Sequence, residues 1–290
     1  MFEGCLTALI TPFRNGAVDK KALADLVEEQ IAGGIHGLVP CGSTGESATL
    51  SHAEHEEIIR EVVRVARKRV PVIAGTGSNS TREAIGLTKA AQEAGADGAL
   101  LISPYYNKPT QDGIVRHYAA ISEATNLPLI FYNIQGRTAS NITPETMAKI
   151  AAIPRVVGVK EASGSLSQVI DVIDLCGPRF GVWSGDDVLT LPIMAAGGCG
   201  VISVTSNLVP KQMVALTDAL RAGDLTLART LQTELLPLFR VLFVEINPIP
   251  VKTAMAMTGR CADELRLPLT PATDGTRAAL DRVLRAMRLV

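Results

Sequence analysis

The stretch PLIFYNIQGRTASNITPETMAKIAAIPRVVGVKEA, residues 128–162, sets two apolar runs on either side of a helical segment. PLIFYN at 128–133 and VVGVKEA at 156–162 are rich in β-branched and aromatic residues, which favour strands. Between them Thr143 precedes Pro144 as an N-cap precedes a proline at the first helical position. Neither run alternates apolar with polar, so both faces of each strand are buried and the unit reads as strand, helix, parallel strand.

The same alternation extends in both directions. Strand-like runs fall at 5–11, 37–40, 71–76, 97–103, 180–185 and 199–204, which with the first two makes eight. Leu23, Leu26, Val27 and Ile31 share one face of a helix between the first pair. Ser51 with Glu54, Ser80 with Glu83 and Ser165 with Gln168 have capping-box spacing at later helix starts. Eight such units ending near residue 222 predict an α/β chain closed into a (β/α)8 TIM barrel, with a doubly wound open sheet as the competing topology. Residues 224–290 hold no further clear strand, and Leu225, Leu227, Ala228 and Leu231 are helically spaced. The expected organisation is a barrel over 1–223 and a C-terminal helical extension over 224–290.

A chain of 290 residues with 47% hydrophobic content fills a core of that size. Its formal net charge of -1 carries no basic block, which argues against nucleic-acid or membrane-surface partners. Cys5, Cys41, Cys176, Cys199 and Cys261 include no C-x-x-C pair and read as reduced thiols. No signal-like start is present and no apolar run approaches the roughly 20 residues that span a bilayer, so a cytoplasmic location is expected.

Lys160 stands directly behind Val156, Val157 and Val159. An ammonium costs several kcal/mol to bury without a partner, so the bland reading ends the strand there and lets the side chain reach water. Barrel active sites lie at the C-terminal ends of the strands, however, and Lys160 closes the sixth. In a dry pocket its pKa falls from roughly 10.4, leaving free amine to form a Schiff base with a carbonyl.

Other strand ends carry compatible groups. Tyr132 ends the fifth, with Arg137 beyond it; CGSTGES follows the second, where Gly42 and Gly45 permit a tight turn and Ser43 and Thr44 add hydroxyls; Tyr105 and Tyr106 follow the fourth. Singly, these are a core tyrosine, a loop charge and a capped turn. Together they suit an anion site and a proton relay. GTGSNS at 75–80, with Asp97 downstream, prompts a dinucleotide reading, but the third glycine of that fingerprint is missing.

With these motifs the chain resembles the dihydrodipicolinate synthases of the pyruvate-dependent class I aldolase and lyase superfamily. The likeness runs from MFEGCLTALITPF through SPYYNKPTQDG, GVKEASGSL, SGDD and GVISVTSN to NPIPVK. It implies that Lys160 forms an imine with pyruvate, that Tyr132 donates and accepts the proton, and that Ser43 and Tyr106 complete the relay, Tyr106 from a neighbouring subunit of a homotetramer. Thr44 and the backbone of Ile202 would contact pyruvate, and Arg137 would clamp the carboxylate of L-aspartate 4-semialdehyde. The implied product is 4-hydroxy-tetrahydrodipicolinate, the first committed step towards diaminopimelate and lysine, with no metal or organic cofactor.

The likeness further implies feedback by L-lysine at Ser47, Ala48, His52, His55, Asn79, Glu83 and Tyr105. The two histidines are also readable as solvated helix residues, Glu83 as a cap, and the His-x-x-His spacing as half of a metal site without an evident third ligand. Ser43 stands where most such enzymes have threonine, Gln135 for a proline, Ala139 for a glycine and Cys199 for a histidine. Sugar-acid lyases of the N-acetylneuraminate type share the lysine, the tyrosine and the GSTGE turn but not generally the arginine. A non-catalytic small-molecule sensor on the same barrel is the remaining rival.

Overall fold

A computed structural model describes residues 2–290. Strands and helices alternate as β1 (Gly4–Ala8), α1 (Lys20–Ala32), β2 (Gly37–Val39), α2 (His52–Ala66), β3 (Ile73–Gly75), α3 (Thr81–Glu93), β4 (Gly98–Ile102) and α4 (Gln111–Ala124). They continue as β5 (Leu129–Asn133), α5 (Pro144–Ala151), β6 (Val156–Glu161), α6 (Leu166–Cys176), β7 (Gly181–Ser184), α7 (Thr190–Ala195), β8 (Gly200–Ser203) and α8 (Pro210–Arg221). The strands pair in parallel in the order β2-β1-β8-β7-β6-β5-β4-β3. A bridge between Leu38 and Val72 joins the two ends, where the Leu38 amide donates to the Pro71 carbonyl and the Gly75 amide to the Pro40 carbonyl, both at 2.9 Å. The sheet is therefore a closed (β/α)8 barrel, as the eight sequence units require, and the open sheet is excluded.

Period-two alternation divides the strand residues between two cores. Leu6, Val39, Ile73, Leu100, Ile130, Trp183 and Ile202 fill the barrel. Cys5, Leu38, Ala99, Leu101, Phe131, Val159 and Val201 point outward against the helices. The helix faces follow the sequence pattern: Leu23, Leu26 and Val27 of α1 are buried, and Ile31 packs at the margin. Ser51 and Glu54 form the full capping box, whereas the Ser80 and Ser165 side chains each accept the expected amide, of Glu83 and Gln168, without the reciprocal bond. The Glu83 and Gln168 carboxylate and amide turn instead to other partners.

One irregularity positions the site. Leu129 pairs with Val156, but Ile130 pairs with Gly158, so Val157 is an extra residue in β6. The shift puts Tyr132 opposite Lys160 and Asn133 opposite Glu161. Because a one-residue slip exchanges the two faces of a strand, this bulge is what turns Lys160 into the barrel. Gly158 lies under Trp183, where a Cβ would come within 2.5 Å of the indole, so the tryptophan occupies the space that the glycine leaves.

Three further helices, α9 (Leu225–Val241), α10 (Ile249–Met257) and α11 (Asp274–Ala286), follow the barrel. The first packs on α8, and α11 packs on both α9 and α10. A short antiparallel ribbon, Phe13–Arg14 with Ala17–Val18, was not apparent in the sequence. Among the described residues no helix is long and apolar enough to cross a membrane, and all five cysteines are free.

Candidate active site

The C-terminal ends of the strands open into a cavity of about 810 Å³. Lys160, at the end of β6, projects into it, and the residue is only 6% exposed. Its ammonium has no hydrogen bond or ion pair among the described residues; Nζ lies 4.3 Å from the centre of the Tyr132 ring. Burial lowers the Lys160 pKa from 10.5 to about 8; the buried Asp187 carboxylate opposes this and the Arg137 charge adds to it. Asp187 is held in place by the amides of Val204 and Thr205, at 3.1 and 2.9 Å, and by the Thr205 hydroxyl at 2.9 Å. Burial raises the pKa of Tyr132, partly offset by Arg137, so its hydroxyl keeps its proton at neutral pH.

The CGSTGES turn closes on itself. Amides of Gly45 and Ser47 donate to the Gly42 carbonyl at 3.1 and 3.3 Å, and that of Glu46 to the Ser43 carbonyl at 3.2 Å. Among the described residues this leaves the amides of Ser43 and Thr44 without partners, beside their hydroxyls. The Thr44 hydroxyl oxygen accepts from the Asn247 side-chain amide at 3.0 Å. The Asn247 main-chain carbonyl in turn accepts from Arg137 Nη2 at 2.8 Å. Arg137 sits on a single helical turn, Gln135–Thr138, ended by Ala139 at φ 58°. An alanine in that left-handed conformation costs roughly 1 kcal/mol relative to glycine.

Ser43, Thr44, Tyr132, Arg137 and Lys160 thus share one cavity, and Tyr106 stands at its rim, 88% exposed with φ 72°. Ile202 is packed in the barrel core and is not on the cavity wall. Ser47, Ala48, His52, His55, Glu83 and Tyr105 line the outer part of the same cavity. Asn79 does not; its carbonyl accepts from the Asn107 side chain at 2.9 Å.

The two histidines diverge. His52 Nε2 meets a Glu83 carboxylate oxygen at 3.0 Å, and the Ser78 hydroxyl donates to the other oxygen. Together, Ser78 first, these hold the Glu83 pKa below the usual carboxylate range. His55 Nε2 donates to the Gly75 carbonyl at 2.8 Å, and burial lowers its pKa. The glycines of GTGSNS serve packing: a Cβ on Gly75 or Gly77 would lie 2.3 Å from the Cys41 carbonyl oxygen or the Ile102 nitrogen.

Sequence reasoning assigned no part to Asn247, Lys252 or Asp187. Lys252 donates to the Glu46 carboxylate within the turn, and both side chains are fully buried. A lysine behind the apolar IPV of NPIPVK is the same signal that marked Lys160.

The Dihydrodipicolinate synthetase family profile matches residues 1–287. A 4-hydroxy-tetrahydrodipicolinate synthase of Geobacter sp. (strain M21) is 53% identical over 290 residues, covering 100% of both chains. A solved dihydrodipicolinate synthase from Acinetobacter baumannii complexed with pyruvate superposes with a TM-score of 0.98 at 45% identity, covering 100% of both chains. Another, from Cyanidioschyzon merolae with lysine bound, superposes with a TM-score of 0.97 at 40% identity, covering 100% of this chain and 99% of that one.

Proposed function

The chain belongs to the dihydrodipicolinate synthetase family and is a lyase, and from that premise we propose that Lys160 condenses pyruvate with L-aspartate 4-semialdehyde to give 4-hydroxy-tetrahydrodipicolinate. The observation that carries this reading is a buried amine facing a cavity with no protein partner. A structural lysine in that position would be paired.

Lys160 Nζ attacks C2 of pyruvate, and the oxygen leaves as water to give the imine. Loss of a C3 proton gives the enamine, whose C3 attacks the aldehyde carbon of the second substrate. That substrate's amino group then adds to C2 and expels Lys160 as free amine, closing the ring. The protonated imine is the electron sink, so the chemistry calls on no cofactor. Tyr132 exchanges protons beside it, relayed by Ser43 and by Tyr106 of a neighbouring subunit in a homotetramer. Thr44 holds pyruvate, and Arg137 holds the carboxylate of the aldehyde. A cytoplasmic setting belongs to the same reading.

L-Lysine is the proposed inhibitor, bound by Ser47, Ala48, His52, His55, Glu83 and Tyr105. The lysine-bound relative supports this, as does the acidic Glu83 facing the outer cavity.

Borohydride reduction in the presence of pyruvate tests the central step. A covalent adduct on Lys160, absent from Lys160→Ala, is expected, with turnover on aspartate semialdehyde that falls when L-lysine is added. An unmodified Lys160 overturns the proposal. Pyruvate release from sugar acids without aspartate-semialdehyde turnover would assign the chain to the lyase alternative.

A further inference from the structure

The inner part of the cavity, at Ser43, Thr44 and Lys160, and its outer part, at Ser47, Ala48 and His52, are joined by a short stretch of chain. What holds that stretch decides whether an event in the outer part is felt in the inner. Its own bonds are long: the amides of Glu46, Ser47 and Leu50 reach the carbonyls of Ser43, Gly42 and Ser47 at 3.2, 3.3 and 3.3 Å, where about 2.9–3.0 Å is ordinary. Glu46 also sits at φ 53°, a left-handed conformation that a glutamate keeps only when its surroundings hold it there.

Arg266, from the segment between α10 and α11, supplies the hold. Its main-chain amide donates to Glu46 Oε2 at 3.1 Å. In its guanidinium both terminal nitrogens make two bonds each. Nη1 donates to the Thr49 carbonyl at 3.1 Å and to Glu54 at 2.9 Å, and Nη2 to the other Glu54 oxygen at 2.6 Å and to the Gly16 carbonyl at 2.8 Å. This fork is the main reason that the Glu54 carboxyl is held down to a pKa of about 2. Glu54 in turn accepts from the Ser51 amide at 2.9 Å in the capping box of α2, the helix that carries His52 and His55. One residue thus grips the turn Ser47–Thr49 at both ends, by its main chain on the side of Ser43 and Thr44 and by its side chain on the side of the outer cavity. Arg266 itself is not on the cavity wall.

We infer that Arg266 is a positioning residue for regulation: it transmits occupancy of the outer cavity to the Ser43–Thr44 turn. The inference rests on the inhibitor reading above and adds the residue through which inhibition acts. A ligand seated against Ser47, Ala48 and His52 shifts the turn and the start of α2 together. Arg266, bonded to both, passes the shift to Glu46, whose amide is bonded to the Ser43 carbonyl. Sites are coupled in this way when one connected element is biased by both.

The division between main chain and side chain gives the test. Arg266→Met keeps the amide on Glu46 and loses every bond of the guanidinium. Without L-lysine, its kcat and its KM for pyruvate should stay within about 2-fold of the parent, and so should its affinity for L-lysine read by calorimetry. Saturating L-lysine should cut turnover of the parent about 5-fold or more, the lower end of ordinary coupling, and that of Arg266→Met less than about 2-fold. Glu54→Gln keeps a side chain suited to the capping box but removes the charge that the fork grips. It should likewise bind L-lysine normally and be inhibited less than the parent, and it replaces the methionine variant if that does not fold. Inhibition as deep in the folded variants as in the parent overturns the inference. Loss of L-lysine binding in them overturns it too, since Arg266 would then support the pocket rather than transmit from it. The premise is read on the parent alone: L-lysine that does not slow it removes the inhibitor and this inference together, whereas full inhibition of parent and variants alike removes only the role of Arg266.

Discussion

Lys160 trades stability for reactivity. A lysine that is 6% exposed and unpaired, with its pKa lowered from 10.5 to about 8, folds at a cost of about 3 kcal/mol at neutral pH. Between about pH 8 and 10.5 the unfolded chain keeps a proton that the folded chain has released, so stability rises with pH across that window and the penalty is complete below it. Lys160→Met should therefore be inactive yet more stable than the parent by about 3 kcal/mol at pH 7, with the gap closing as the pH approaches 10. Denaturant unfolding at several pH values measures this, and a methionine variant no more stable than the parent at pH 7 contradicts it. By the same titration, imine formation with pyruvate should accelerate as the pH rises through about 8 and then level off, because only the free amine attacks.

At the scale of elements, the site depends on how β5 and β6 are registered. The residues that follow Tyr132 and Lys160 face outward and bond to one another: the Asn133 side-chain nitrogen donates to Glu161 at 3.0 Å and to Asn141 at 2.8 Å, and the Ser163 amide donates to Glu161 at 2.7 Å. This polar pair sits on a strand face that otherwise carries Phe131 and Val159. It fixes the two strands directly behind the lysine and tyrosine. Glu161→Ala strands buried donors and is expected to destabilise the fold by about 2–3 kcal/mol. Asn133→Ala should cost a similar amount, and the double variant less than the two together by about 1–2 kcal/mol, as residues in one network do. Slower borohydride trapping in each single variant is the functional counterpart; strictly additive stabilities would show that the pair does not act as a unit. The strands themselves were legible in the sequence because eight near-continuous apolar runs recur with helical patterns between them. The Val157 bulge, the ribbon at 13–18 and the turn at 135–138 were not, since elements this short are decided by what they pack against rather than by their residues.

Across the whole molecule, the same distinction separates the parts of the site. Lys160, Tyr132, Ser43, Thr44 and Arg137 could be placed from sequence because a barrel gathers the ends of its strands at one mouth, so each strand boundary located a side chain. Asn247, in the connection before α10, and Lys252, on α10, lie beyond the barrel, where no comparable rule applies, and only the folded chain brings them to the turn. There Lys252 pairs with Glu46, both side chains fully buried, with the Phe13 ring 4.2 Å from the Lys252 ammonium and 4.3 Å from the Arg266 guanidinium. Glu46 adopts φ 53° between Thr44 and Ser47, so the ion pair anchors the segment that joins the Ser43–Thr44 turn to the outer cavity. Replacing one member leaves the other as an uncompensated buried charge. Lys252→Met is expected to lose about 3–5 kcal/mol of stability and to raise KM for pyruvate, because the turn that carries Ser43 and Thr44 loses its anchor. Adding Glu46→Gln removes the stranded charge and should restore most of the stability while KM stays high. Unfolding and steady-state kinetics on the three proteins decide it: a single variant as stable as the parent would mean that the pair contributes nothing, and recovery of KM along with stability would mean that the charge, rather than the anchoring, governs the turn.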